Sequence, residues 1–274
     1  MERVSVPPAL LAFVEKHMGA FQCGAHHFDH VLRVCGVAQR LAAKEGGNQK
    51  IAVVGALCHD VLDSKLLAKE DAAGTERVLV DALSEDASFL NQEEVAAVMH
   101  IVKNIGYRRL LDPAWFDNIG AQSIELRCVQ DADSLDAIGA IGVARCFAFG
   151  GKRNRPLFDL GGVIGADPLS PAAYAQAAGS GVEHFFEKLL RLPAMMVTAS
   201  GRDLAQARQA HMLRWLADLD DELAEGGVEG LGLGPARGEG LGEGRGQGQA
   251  EAEADAGGES LLRQNLRVMN LLSL

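Results

Sequence analysis

Aromatic residues are scarce in this sequence: Phe, Tyr and Trp together make up 5% of its 274 residues. A core of that composition has to be built mainly from Ala, Leu, Val and Ile, which favours helices packed closely on small side chains and argues against an all-β fold. CxxC spacing is missing. The five cysteines (Cys23, Cys35, Cys58, Cys128 and Cys146) are odd in number, and most lie among apolar neighbours as small core residues do. A disulfide scaffold is therefore excluded, and a reducing, cytoplasmic setting is expected. Cations are in deficit: 26 Lys and Arg against 37 Asp and Glu give a net charge of −11 and a pI near 5.2. That leaves no broad basic surface to track a nucleic acid polymer. No segment reaches the roughly 18 consecutive apolar residues of a membrane helix. Met1–Leu10 carries two prolines and an acidic residue rather than a basic stretch leading into an apolar run, so no secretory signal is expected either.

With 48% apolar residues and a mean hydropathy of +0.04, what remains fits a soluble globular chain. Composition changes after Ala224. Residues 226–259 hold 13 of the 32 glycines, with seven acidic and two basic residues, and such a segment cannot bury enough apolar surface to offset chain entropy. It reads as a disordered acidic linker. Residues 260–274 place Leu261, Leu262, Leu266, Met269 and Leu272 at partly helical spacing, either a short amphipathic helix able to dock on a protein partner or merely an apolar end.

Residues 1–225 form the folded unit, and helical patterns dominate it. Leu10, Leu11, Val14, Met18 and Phe21 give one stripe; Val31, Val34, Ala38 and Leu41 give a second, stopped by Gly46-Gly47. Ile51–Leu62 is almost wholly apolar, as a helix buried on all sides would be. Further helices are predicted near 75–83, 93–105, 122–138, 181–192 and 202–223. Residues 150–180, punctuated by Gly and Pro, read as an extended loop.

Three clusters could carry chemistry. His59-Asp60 closes the most hydrophobic helix, where an ionised carboxylate needs a cation or strong donors to offset its burial. His26, His27 and His30 open the second amphipathic helix, with Arg33 one turn on. Asp131, Asp133 and Asp136 lie on a helix that is otherwise apolar. Gathered around one divalent cation, imidazoles and carboxylates from these helices would form a nitrogen and oxygen site suited to manganese, magnesium, iron or zinc. His59-Asp60 alone also has a plain reading, as a capping or salt-bridged pair. His26 and His30 have the i, i+4 spacing of a separate zinc pair, but no Glu follows His26 as the metalloprotease pattern requires.

In order along the chain, His30, His59-Asp60 and Asp133 resemble the H…HD…D signature of the HD superfamily of metal-dependent phosphohydrolases. The strings His30-Val31-Leu32-Arg33-Val34, His59-Asp60-Val61-Leu62-Asp63-Ser64-Lys65, Gln130 to Arg145, and His184-Phe185-Phe186-Glu187-Lys188-Leu189 are similar to one branch of it, which includes YpgQ-like nucleotide pyrophosphohydrolases. The resemblance spans roughly residues 21–223. It implies an all-α helical bundle holding one divalent metal ion, manganese or magnesium before iron or zinc, on His30, His59, Asp60 and Asp133. Asp133 is preferred to Asp131 because Ala132-Asp133-Ser134-Leu135 matches the Ala-Asp-x-Leu context of the last ligand. The sequence departs from the branch at His27, Gly106 and Ser134, where Asp, Ser and Arg are usual, and these departures fall around the substrate.

The implied reaction is hydrolysis of a phosphate ester or anhydride in a small soluble substrate, a nucleotide before others, by a metal-bound hydroxide. Lys65 stands where it can pair with a phosphate, and Asp63 where it can orient the attacking water or take its proton; the plainer reading has the two pair with each other or with solvent. Arg33, His26, Lys103 and Lys188 are weaker substrate-binding candidates, each with a structural alternative: Arg33 as a salt bridge, Lys103 as a snorkelling side chain, Lys188 as a brace. Arg145 needs a carboxylate, which Asp136 or Glu187 can supply. His100 reads as a half-buried imidazole. Two rival functions stand: a catalytically silent binding or regulatory protein that keeps the metal site, and a metal-dependent lyase or oxygenase.

Overall fold

The computed structural model describes residues 2–19, 28–63, 72–159 and 179–226. It is all-α, with no strand among the described residues. In chain order the helices are α1 (Pro8–Gly19), α2 (Phe28–Glu45), α3 (Gln49–Cys58), α4 (Ala72–Ser84), α5 (Gln92–Asn104), α6 (Tyr107–Leu110), α7 (Pro113–Asp117), α8 (Ile124–Asp136), α9 (Gly139–Lys152), α10 (Gly181–His184) and α11 (Ala199–Glu225). His26, His27, Lys65, Cys23, most of the predicted 150–180 loop and, apart from Gly226, the predicted linker and terminal helix lie outside the described residues.

Helices α2, α3 and α8 form the centre. The α2 stripe of Val31, Val34, Ala38 and Leu41 is fully buried, and Gly46, at φ 78°, ends the helix with the Gly47 N–H returned to the Ala42 carbonyl at 2.8 Å. Asn48 caps α3 by accepting from the N–H groups of Lys50 and Ile51. Ser123 caps α8 in the same way through Leu126 N–H. One face of this centre packs with α9 and α11 around Leu135, Phe185 and Leu216; the other packs with α1, α4 and α5 around Val14, Leu57 and Leu83. Cutting a fully buried leucine such as Leu135 to alanine is expected to cost about 2–5 kcal/mol.

Three departures from the sequence reading bear on the site. The apolar helix predicted to reach Leu62 stops at Cys58; residues 59–62 form a turn, with Val61 N–H on the Cys58 carbonyl at 3.0 Å and Asp63 N–H on the Asp60 carbonyl at 3.1 Å. The helix predicted over 181–192 is broken: α10 runs straight into a π-helical turn over Phe185–Leu189, followed by a 3-10 turn over Leu192–Met195. The sequence pattern puts Arg145 in an apolar helix but gives it no bounds, because glycines at 139, 142, 150 and 151 weaken the periodicity; that helix is α9. Gly139, at φ 76°, lets the chain bend by 67° between α8 and α9.

Candidate metal centre and cleft

His30 enters the site from the first turn of α2, and its ring orientation is fixed from behind. Its Nδ1 lies 2.7 Å from Asp136 Oδ2, and Asp136 also accepts from Arg33 (Nε 2.8 Å, Nη2 3.0 Å) and Arg145 (Nη1 2.9 Å). Burial alone would raise the Asp136 carboxyl, but the His30 and Arg33 hydrogen bonds and the nearby positive charge outweigh it and hold it well below the usual carboxylate range. An ionised carboxylate only accepts, so Nδ1 donates to it and Nε2 faces the other carboxylates of the site. His59 reaches the same arrangement by a different route. It follows directly on α3, whose last carbonyls lack helical partners, and its Nδ1 donates to the Ala56 carbonyl at 2.7 Å. Its Nε2 is buried and without a hydrogen-bond partner.

The two Nε2 atoms converge. The rings are 5.3 Å apart between centroids at 73°, and one ligand atom each from His30, His59 and Asp133 lies within 4.8 Å of the others. Asp133 Oδ1 is 3.5 Å from His30 Nε2 and 3.7 Å from His59 Nε2. Asp60 completes the group, with Oδ1 3.3 Å from His59 Nε2 and Oδ2 3.7 Å from His30 Nε2. Burial alone would lower the His59 pKa; the carboxylates of Asp60 and Asp133 outweigh that and raise it. A buried imidazole nitrogen with no hydrogen-bond partner, facing two carboxylates, fits a divalent cation and nitrogen and oxygen ligation. The Asp136 and Ala56 contacts are the supports that such ligands need.

The aspartates of α8 do not gather as one group. Asp133 faces the cleft, but Asp136 stands behind His30, and Asp131 points to the start of α11. There Asp131 accepts from Val197 N–H (2.9 Å), Thr198 N–H (2.8 Å) and Thr198 Oγ1 (2.6 Å). Burial pushes its carboxyl up to about 6, against the pull of those donors. Asp131 thus secures the joint that Glu45 also holds, through Ser200 N–H at 2.7 Å.

The group forms the floor of a cleft of about 740 Å³. Asp63 lines it, as do Lys103 and Lys188. Lys103 is paired with Glu76 at 2.5 Å, and the Lys188 ammonium sits 4.7 Å over the Tyr107 ring. Arg33 does not reach the cleft: Asp136 engages it, so its expected substrate role gives way to a structural one. Arg145 takes Asp136, one of its two expected partners. His100 is exposed, bonded to Gln122 Oε1 at 2.9 Å. Arg108 and Arg109, which carry no motif in the sequence, also line the cleft. Their adjacency after Gly106 was the signal available.

The fold and this pocket define an all-helical protein with a paired His/Asp cluster at the base of a cleft. Comparison with known proteins agrees. The sequence matches the HD domain family over residues 27–138. It is 34% identical over 208 residues to the protein YpgQ of Bacillus subtilis (strain 168), covering 74% of this chain and 86% of that one. Among solved structures, a Lactobacillus plantarum protein superimposes with a TM-score of 0.65 at 28% identity, over 79% of this chain and 96% of that chain. Bacillus subtilis YpgQ in complex with ADP gives 0.57 at 28% identity, over 78% and 96%. An HD-superfamily hydrolase from Bacillus thuringiensis gives 0.57 at 30% identity, over 78% and 95%. The chain belongs to the HD domain family.

Proposed function

We propose that the cleft hydrolyses a phosphate ester or anhydride bond in a small soluble substrate, a nucleotide, with one divalent cation held by His30, His59, Asp60 and Asp133. The observation that carries this reading is the convergence of two imidazoles, each anchored through Nδ1, on the carboxylates of Asp60 and Asp133 at the base of the cleft. The YpgQ structure in complex with ADP and the hydrolase from Bacillus thuringiensis support it by similarity. Manganese or magnesium suits the carboxylate-rich set best, with iron or zinc as alternatives. Once bound, the cation offsets phosphate charge and makes a coordinated water more acidic.

The chain's own groups supply the rest. Asp136 keeps His30 in one tautomer, and Ala56 does so for His59, so neither ring has to turn during the reaction. Asp63, three residues beyond Asp60 and on the cleft wall, takes the proton of the attacking water. Lys188, steadied over Tyr107, and Lys65, by its place in the sequence, bind phosphate oxygens. A net charge of −11 disfavours a polymeric nucleic acid substrate and keeps the proposal to small molecules.

The test is a panel of nucleoside mono-, di- and triphosphates with Mn2+ or Mg2+, following released phosphate and pyrophosphate. Turnover by the wild type and its loss in His59→Ala are expected. Turnover that is indifferent to His59→Ala would refute the proposal.

A further inference from the structure

The cleft's cations are not equivalent. Arg145 is held by the buried carboxylate of Asp136, and Lys103 pairs with Glu76 at the surface, so each already has an acidic partner within the protein. Arg108 and Arg109 line the same cleft, are exposed, and among the described residues neither is ion-paired. Their placement is built. Gly106, at φ 119°, turns the chain out of α5 in a backbone conformation that a side chain would strain. The Gly106 N–H is held at 2.9 Å by Oε1 of Gln130, whose side chain is fully buried and whose Nε2 reaches Ser134 Oγ at 3.3 Å, beside Asp133. The Arg109 guanidinium is itself oriented, with Nη2 donating to the Lys103 carbonyl at 3.1 Å, while its other N–H groups have no partner shown among the described residues. A rigid link of one buried glutamine therefore joins the α8 turn that carries Asp133 to two arginines at the mouth.

We infer that Arg108 and Arg109 are specificity-determining residues that bind the phosphate groups beyond the one at the floor, so the cleft discriminates by phosphate-chain length. Guanidinium groups are suited to such contacts because they are planar, always charged, and able to grip phosphate oxygens two at a time. The inference rests on the phosphohydrolase reading for its kinetic consequence, but not for binding.

The experiment has two arms on the full chain. In the first, inorganic tripolyphosphate is titrated by calorimetry in the presence of EDTA into the wild type and Arg108→Gln/Arg109→Gln. The affinity is expected to fall about tenfold or more, the loss typical of deleting charged hydrogen bonds. Unchanged affinity overturns the inference whether or not the protein turns over any nucleotide. In the second, kcat/KM is measured for the mono-, di- and triphosphate of one nucleoside. The triphosphate-to-monophosphate ratio is expected to drop about tenfold in the glutamine variant and to stay within about threefold of wild type in Arg108→Lys/Arg109→Lys, which keeps the charge. An equal fall for all three substrates would overturn it. No turnover by the wild type with tripolyphosphate binding still dependent on the arginines would refute the phosphohydrolase reading and leave the anion subsite standing.

Discussion

Replacing Asp136 by asparagine tests how the site is held together. The Asp136 side chain is 3% exposed and receives donors only: His30 Nδ1, Arg33 Nε and Nη2, and Arg145 Nη1. Asparagine keeps one accepting oxygen but turns an NH2 group toward a neighbouring donor, and it leaves two guanidinium groups without their anion. Arg145, 14% exposed, feels most of this; Arg33, 36% exposed, recovers part of its solvation. Breaking a buried pair from one side costs about 3–5 kcal/mol. Urea unfolding, followed by the fluorescence of Trp115 and Trp215, should show a lower midpoint with an unchanged slope. The pH dependence gives a second handle. A carboxyl whose folded pKa is lowered contributes stability above its unfolded value, about 3.9, and loses it as pH falls below that. The gap between wild type and variant should therefore be full near pH 7 and shrink below about pH 4. Divalent-metal affinity should fall about 10–100-fold as His30 loses its orienting partner. A stability loss below about 1 kcal/mol at pH 7, the worth of an exposed pair, would mean that Asp136 is not a buried anchor of the site.

Other outcomes follow from the same structure. Gly201→Ala places a methyl group against Asp131 Oδ2 and Thr198 Oγ1 at the joint of α11, and should destabilise the protein by about 1–3 kcal/mol in urea titrations; a neutral result would mean that the joint yields freely. Burial pushes the thiols of Cys35 and Cys128 up to about 12 and that of Cys146 to about 11, and Cys58 higher still. At pH 8 iodoacetamide should modify these four slowly in the native protein and readily in urea, as peptide mass mapping would show; rapid native labelling of Cys58 would contradict its full burial. Truncation after Gly226, one residue past the end of α11, should leave turnover intact, and a large loss of activity would show that the tail takes part.

The paired His and Asp positions stood out in the sequence because charge at the end of an apolar helix needs compensation, and the glycine stop of α2 followed from its local conformational demand. What the sequence withheld was direction. Asp131, Asp133 and Asp136 lie within two turns of α8, yet they face the α11 joint, the cleft and the back of His30 respectively. Periodicity states which residues share a face, not what tertiary partner that face meets. Asp136 and Arg33 acquire their role from a contact across 103 residues of chain. The π turn at Phe185–Leu189 and the Arg108–Arg109 mouth depend on packing and on a single glycine, neither of which leaves a repeating pattern.

Side chains from α2, the end of α3 and α8 should together hold a single cation. Titrating Mn2+ into metal-free protein by calorimetry, for the wild type, His30→Ala and His59→Ala, measures this directly, with circular dichroism confirming that the variants are folded. One ion per chain is expected in the wild type, with no stoichiometric binding in either variant; undiminished binding in both folded variants would mean that these side chains do not hold the cation.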